Sequence, residues 1–204
     1  RLSAHRLYGY FQLFSGSNRI LDKYPEMVFR IPFIRSIFPN AKFIFLVRNG
    51  WDTCYSIERW CEKNSYERNG SMEDWWGLDN RKWHTILNEL VENDTDLCKN
   101  KDKICKLTTN FDKSVVEWIL TMREGIINIK KEEIDILLVK FEELGAHPRQ
   151  CIKNIIDFVE LPIDTKLLDY AERTLKPVSP YPRGNIQPYL EKIFHKTLKI
   201  LGYS

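Results

Sequence analysis

Arg48 and Ser56 stand eight residues apart, with Asn49-Gly50 breaking the chain between an apolar run and a helix-like pattern. Those residue types in that order suit an oxyanion such as phosphate. Arginine supplies a planar fork of charged N–H donors, serine adds a hydroxyl, and the start of a helix adds a partial positive charge. The plainer alternative is an arginine that merely ends a strand at the surface. Two further cations, Lys176 and Arg183, are the only ones in Leu175–Asn185, a stretch whose three prolines and glycine mark it as a loop. Loops carry binding residues more often than helices do, although basic loop tips are also ordinary solvated surface.

The elements around these residues set their positions. Phe43–Val47 is an apolar run rich in β-branched and aromatic residues, and the turn signal Pro39-Asn40 precedes it. It reads as a short strand buried on both faces of a parallel sheet; periodicity alone does not separate that from a buried helix. Arg48 then falls at the carboxyl end of the strand, where open α/β sheets bind their ligands. Trp51-Asp52-Thr53 starts a helix that carries Ser56 in its second turn. Upstream, Leu2–Phe14 reads as a helix with Leu7, Tyr10, Phe11 and Phe14 on its apolar face, and His5 as a structural residue on it. Arg19–Tyr24 reads as a strand with Lys23 at its end, and Pro32–Phe38 as a short helix.

Downstream, Glu62–Asp74 reads as a polar loop containing Asn-Gly. Trp75 and Trp76 either floor a ligand cleft or pack in the core, and Trp83, on a helix over Asn80–Val91, is read as packing. Asn93–Lys106 is charged and irregular. Asp112–Asn128 is an amphipathic helix, Ile134–Lys140 a second buried strand, and Pro148–Val159, Asp164–Leu175 and Pro188–Gly202 are helices. Strands alternating with helices predict an α/β fold with a mostly parallel sheet covered by helices.

Composition narrows the function classes. A chain of 204 residues, 43% of them hydrophobic, can bury one α/β core. The net charge of +3 carries no broad nucleic-acid footprint. Five cysteines without C-x-x-C spacing favour reduced thiols in a cytoplasmic protein, though Cys98 and Cys105 could pair in an oxidising compartment. No run approaches the roughly 20 apolar residues that cross a bilayer. Metal-ligand spacing, G-x-S-x-G, a Walker lysine, G-x-G-x-x-G and internal repeats are all absent.

The stretch Ala41–Ser56 resembles the 3′-phosphate-binding motif of sulfotransferases that use 3′-phosphoadenosine 5′-phosphosulfate (PAPS). In that motif a strand ends in arginine and a serine follows eight residues later; Asn49-Gly50 replaces the usual Asp-Pro or Asp-Gly. Lys23-Tyr24-Pro25 is similar to the family's Lys-x-Pro signature, and Phe38-Pro39-Asn40-Ala41-Lys42-Phe43-Ile44 to its approach to the strand. Phe141-Glu142-Glu143-Leu144 with Pro148 is similar to its Tyr-Glu-Asp-Leu segment, with phenylalanine in place of tyrosine near the adenine. Lys176-Pro177-Val178 resembles the C-terminal loop of tyrosylprotein sulfotransferases. The likeness runs from about Arg19 to the C-terminus.

That resemblance implies a P-loop NTPase-like three-layer domain spanning residues 1–204. It implies transfer of a sulfuryl group from PAPS to a hydroxyl or amine, releasing 3′-phosphoadenosine 5′-phosphate, without a metal. Arg48 and Ser56 would hold the 3′-phosphate, Lys176 or Arg183 would close a lid, and Lys23 would stabilise charge on the leaving phosphate. The acceptor is left open between small molecule, glycan and peptide. The family's loop for the 5′-phosphosulfate has no counterpart here. Ser15-Gly16-Ser17 lacks its cation, so the sequence is expected to be an N-terminally truncated member and, as given, inactive in transfer. Two other classes stay open: a nucleotide-binding module without turnover, and a P-loop kinase-like phosphotransferase, which would need a Walker lysine and magnesium ligands.

Overall fold

The computed structural model describes residues 2–131 and 133–203. Its centre is a parallel pair, β1 (Phe43–Val47) with β4 (Ile136–Lys140), in register from Phe43 opposite Ile136 to Val47 opposite Lys140. A parallel pair needs a long crossover. Here the crossover includes α3 (Gly50–Asn64), the hairpin β2 (Tyr66–Arg68) and β3 (Ser71–Glu73), the short helices α4 (Arg81–Thr85) and α5 (Lys101–Ile104), and α6 (Asn110–Ile129). Before β1 come α1 (Leu2–Ser15), a 3-10 helix Pro25–Arg30, and α2 (Ile31–Ile37). After β4 come α7 (Phe141–Ala146), α8 (Pro148–Phe158), α9 (Thr165–Thr174) and α10 (Pro188–Ile200). The result is an α/β fold whose parallel sheet is flanked by helices, as the alternation of elements predicts.

The core lies where α3, α6 and α10 meet the tip of β1. Val47, Cys54, Val115, Val116, Ile119, Leu190 and Phe194 are wholly buried there. Two close approaches fix the packing. Gly125 of α6 lets the Phe45 ring lie where a Cβ would sit, with ring atoms 2.1 and 2.2 Å from that position. Gly50, the first residue of α3, does the same for Phe194, at 2.5 Å. Burial pushes the Cys54 thiol up to about 12, which makes it an inert packing group.

The structure departs from the sequence reading in three places. Arg19–Tyr24 forms no strand: all six residues are exposed, and a cleft separates the segment from the free edge of β1. Its bonds run instead to α1 and to the end of α8, with the Tyr8 hydroxyl donating to Asp22 Oδ2 at 2.7 Å and Arg19 donating to the Val159 carbonyl. The polar loop Glu62–Asp74 contains the β2–β3 hairpin, turned by Asn69 and Gly70 at φ 52° and 80°. Positive φ at both central residues is what a two-residue hairpin turn demands of Asn-Gly. The helix over Asn80–Val91 starts at Arg81 and changes type along its length. Asp79 and Asn80 take left-handed φ of 52° and 57°, and α4 passes into a π-helix, Ile86–Val91.

Candidate functional site

The last residue of β1 and the first turn of α3 are tied down from several sides. Asn49 caps α3, its side chain accepting from Trp51 N–H at 3.0 Å, and Thr53 Oγ1 donates to the Asn49 carbonyl at 2.9 Å. Asn49 N–H donates to Glu142 Oε1 at 2.8 Å, so the ends of β1 and β4 are cross-linked. Glu142 Oε2 accepts from the Tyr203 hydroxyl at 2.8 Å. Burial first, and then that bond to a carboxylate, hold the Tyr203 phenol far above its ordinary value. The Arg48 carbonyl accepts from Trp118 Nε1 at 3.1 Å. The backbone around Arg48 is therefore rigid, with its side chain projecting from a fixed point.

That side chain lies over the Phe141 ring, 4.9 Å from its centre, and its buried Nε has no hydrogen-bond partner. A guanidinium donor without a partner is costly, and an anion is the group that would satisfy it. Phenylalanine at 141 thus keeps a ring face against the arginine.

Beside Arg48 opens a cleft of about 470 Å³, within the range usual for small-molecule sites. Four consecutive β1 residues, Phe43 to Leu46, line it. Because strand side chains alternate between faces, four in a row mark the strand's free edge as one wall. The second wall is α3, through Thr53, Ser56, Ile57 and Trp60, spaced as one helix face. The third is α6, through Glu117, Trp118, Thr121 and Gly125; residues 22–29 close the far side. Lys23, Arg48 and Ser56, singled out from the sequence, all line this one cleft.

Lys176 and Arg183 do not. Lys176 donates to the Glu172 carbonyl at 3.0 Å, closing the end of α9. Its own carbonyl lies 2.7 Å from where a Cβ on Gly145 would sit. Arg183 borders a separate hollow of about 290 Å³ with Trp51, Glu191 and His195. The loop between α9 and α10 is moored to a face of α3 that adjoins the one lining the cleft. Tyr181 N–H donates to the buried Asp52 at 2.7 Å, Arg59 donates to the Tyr181 hydroxyl, and Tyr55 stacks on Tyr181. His5 lies outside the cleft as well, edge-on to Phe38 at 4.9 Å.

Sequence reasoning passed over a polar cluster in the cleft wall. Lys82 Nζ contacts Glu117 Oε1 at 2.6 Å and Glu26 Oε1 at 2.9 Å, and sits 4.5 Å from the centre of the Trp75 ring. Trp75 Nε1 donates to Glu117 Oε2 at 2.7 Å. Burial opposes the charge on Lys82, but the two carboxylates outweigh it and hold the ammonium above the usual lysine range. The one local signal was Glu26 immediately after Pro25. Of the tryptophans, Trp60 and Trp75 line the cleft as an edge-to-face pair 5.7 Å apart, while Trp76 and Trp83 are buried in the core. Among the described residues no group of three potential metal ligands occurs, and no helix is long and apolar enough to cross a membrane.

Comparison with known proteins adds two findings. The family model described as "Sulfotransferase family" matches residues 2–99. A solved structure, the Sulfotransferase Domain from the Curacin Biosynthetic Pathway, superposes with a TM-score of 0.56 at 16% identity, covering 98% of this chain and 68% of that one. No curated protein matches the chain significantly. The family match supports a sulfotransferase family, and the structural likeness shows a shared fold.

Proposed function

We propose that this chain, which carries the sulfotransferase family pattern over residues 2–99, belongs to an enzyme that transfers a sulfuryl group from PAPS to a hydroxyl or amine. One observation carries the reading: Lys23, Arg48 and Ser56, far apart in sequence, line one cleft at the tip of β1 and the start of α3. The donor set fits a phosphate. Arg48 brings an unpartnered buried donor, Ser56 a hydroxyl, and α3 its positive end.

In this reading Arg48 and Ser56 bind the 3′-phosphate and thereby orient the nucleotide. The rigid backbone at Arg48 matters here, because positioning supplies much of the rate when little covalent chemistry falls to the protein. As the acceptor oxygen or nitrogen bonds to sulfur, the bond from sulfur to the bridging phosphate oxygen breaks. Negative charge grows on the departing 5′-phosphate, and the Lys23 ammonium stabilises it there. The acceptor's proton passes to a base. Lys176 and Arg183 do not line the cleft, and the scheme assigns them no contact.

Nucleotide choice tests the reading. A charge-assisted contact to phosphate contributes roughly 1.5–3 kcal/mol, about one to two orders of magnitude in affinity. Calorimetry is expected to give 3′-phosphoadenosine 5′-phosphate that advantage over AMP, and Arg48→Ala to remove it. Equal affinities in the unsubstituted protein would sink the assignment.

A further inference from the structure

The cleft holds more chemistry than the nucleotide would use. Among the described residues lining it, the cations are Lys23 and Arg48, and both are engaged by phosphate oxygens in the reading above. Apart from the hydroxyls of Tyr24, Thr53 and Thr121, what remains is apolar or acidic. Trp60 and Trp75 form one wall, and the carboxylates Glu26 and Glu117 face the same space. Lys82 stands behind the two glutamates and does not border the cleft. One ammonium against two carboxylates leaves a surplus negative charge in that wall. Asp22, at the same mouth, adds to it, although it accepts a bond from Tyr8.

We propose that Trp60, Trp75, Glu26 and Glu117 form the acceptor subsite, and that it selects apolar ring compounds bearing a neutral hydroxyl or an amine over anionic acceptors. The inference rests on the sulfotransferase reading, since it assigns the cations to the nucleotide. The geometry gives each residue a part. Trp60 is 41% exposed and set edge-to-face with Trp75, so part of its indole is left open to a second ring. Glu117 has both oxygens engaged, one by Lys82 and one by Trp75, and so holds the wall in shape. Glu26 uses one oxygen on Lys82, its side chain is 34% exposed, and it lines the cleft. An anionic acceptor would meet these carboxylates with its charge uncompensated, and like charges brought together in an interface cost several kcal/mol. Polyanionic glycans and acidic peptides are disfavoured on that ground. A neutral sugar offers the tryptophans only the C–H face of its ring, and burying its hydroxyls there without partners is costly, so an aromatic ring gains more.

The test is calorimetric titration of the chain with 2-naphthol, 2-naphthoate and methyl glucoside, each with and without 3′-phosphoadenosine 5′-phosphate. The expected result is saturable binding of 2-naphthol, about tenfold or more tighter than either comparator. Trp60→Ala, a change at a half-open surface position, is expected to weaken 2-naphthol about tenfold. Glu26→Gln is expected to narrow the naphthol-to-naphthoate ratio while leaving Glu117 paired with Lys82. Naphthoate or methyl glucoside binding as tightly as naphthol would overturn the proposal, and so would an unaltered affinity in Trp60→Ala. The nucleotide titration separates the two levels. Preference for 3′-phosphoadenosine 5′-phosphate over AMP with no naphthol binding overturns the acceptor assignment alone. Naphthol binding without that nucleotide preference overturns the sulfotransferase reading, and the acceptor role with it.

Discussion

Gly125→Ala puts the packing of the cleft to a quantitative test. A methyl group there would lie 2.1, 2.2 and 2.7 Å from three atoms of the Phe45 ring. Carbon atoms settle at about 3.5–4.0 Å, so the ring must withdraw by roughly 1.5 Å. Helix α6 cannot give way easily, because Trp118, Ile119 and Met122 pin it in the core. The Phe45 backbone is paired with β4 opposite Leu138. The ring's free direction is into the cleft that it lines.

Overpacking of this kind costs about 1–3 kcal/mol, and the helix-propensity gain of alanine over glycine returns about 1 kcal/mol. The net loss is therefore roughly 0–2 kcal/mol, which for a chain of this size lowers Tm by up to about 8 °C. The displaced ring also takes space from any cleft ligand, so the affinity for 2-naphthol should fall by more than the loss of stability implies. Thermal melts and the naphthol titration check both effects. Adding Phe45→Ala to Gly125→Ala should remove the clash, making the pair markedly non-additive. A variant with raised Tm and undiminished naphthol affinity would refute the reasoning, since the ring would then have had room elsewhere.

Two further outcomes are expected. In a preparation competent for transfer, Lys23→Ala should lower kcat by more than it weakens nucleotide binding, because its charge acts as the bridging bond breaks; turnover at the normal rate with saturating substrate would reduce it to a surface lysine. Arg123→Met removes a guanidinium that meets both Asp94 oxygens at 2.8 and 2.7 Å and Asp96 at 2.5 Å, and with partial burial should cost roughly 1–3 kcal/mol at neutral pH. The Arg123 bond holds the Asp96 carboxyl below its usual value, so its share of stability is present above the unfolded carboxylate range and lost as pH falls through the lower folded value. Melts from pH 7 to pH 3 should show the gap between wild type and variant closing at the acid end.

The strand Phe43–Val47 and the helix after it were legible because everything that specifies them is local. An apolar β-branched run, an Asn-Gly break and a capping asparagine lie within a few residues of one another. Helix α6 was legible from its periodicity. Arg19–Tyr24 was not, because a strand exists only if another chain segment satisfies its backbone groups, and no run of residues announces a missing neighbour. The Asn-Gly turn was visible, but the pairing of its short flanks was not. The same limit hid Glu26, Lys82 and Glu117, which belong to three separate elements and read singly as ordinary solvated charges. Where the cations of the Leu175–Asn185 loop lie was hidden for a related reason. Composition identified a loop, whereas Asp52 and Tyr55 on α3 decide which side it lies on.

The contact of Gly50 with Phe194 also has a consequence in time. The start of α3 rests on a ring near the end of the chain, and the Trp51 and Trp118 rings close around that same phenylalanine. On a ribosome, Arg48 and Ser56 emerge long before residue 194 does. At about 5–20 residues per second the interval is roughly 7–30 s. During it the N-terminus of α3 lacks the hydrophobic floor on which it sits, and the free edge of β1 stands beside it. The nascent protein therefore passes through a window in which the turn carrying Arg48 lacks the packing that fixes it. Attachment of chaperones, or of a neighbouring nascent chain, is expected to concentrate there.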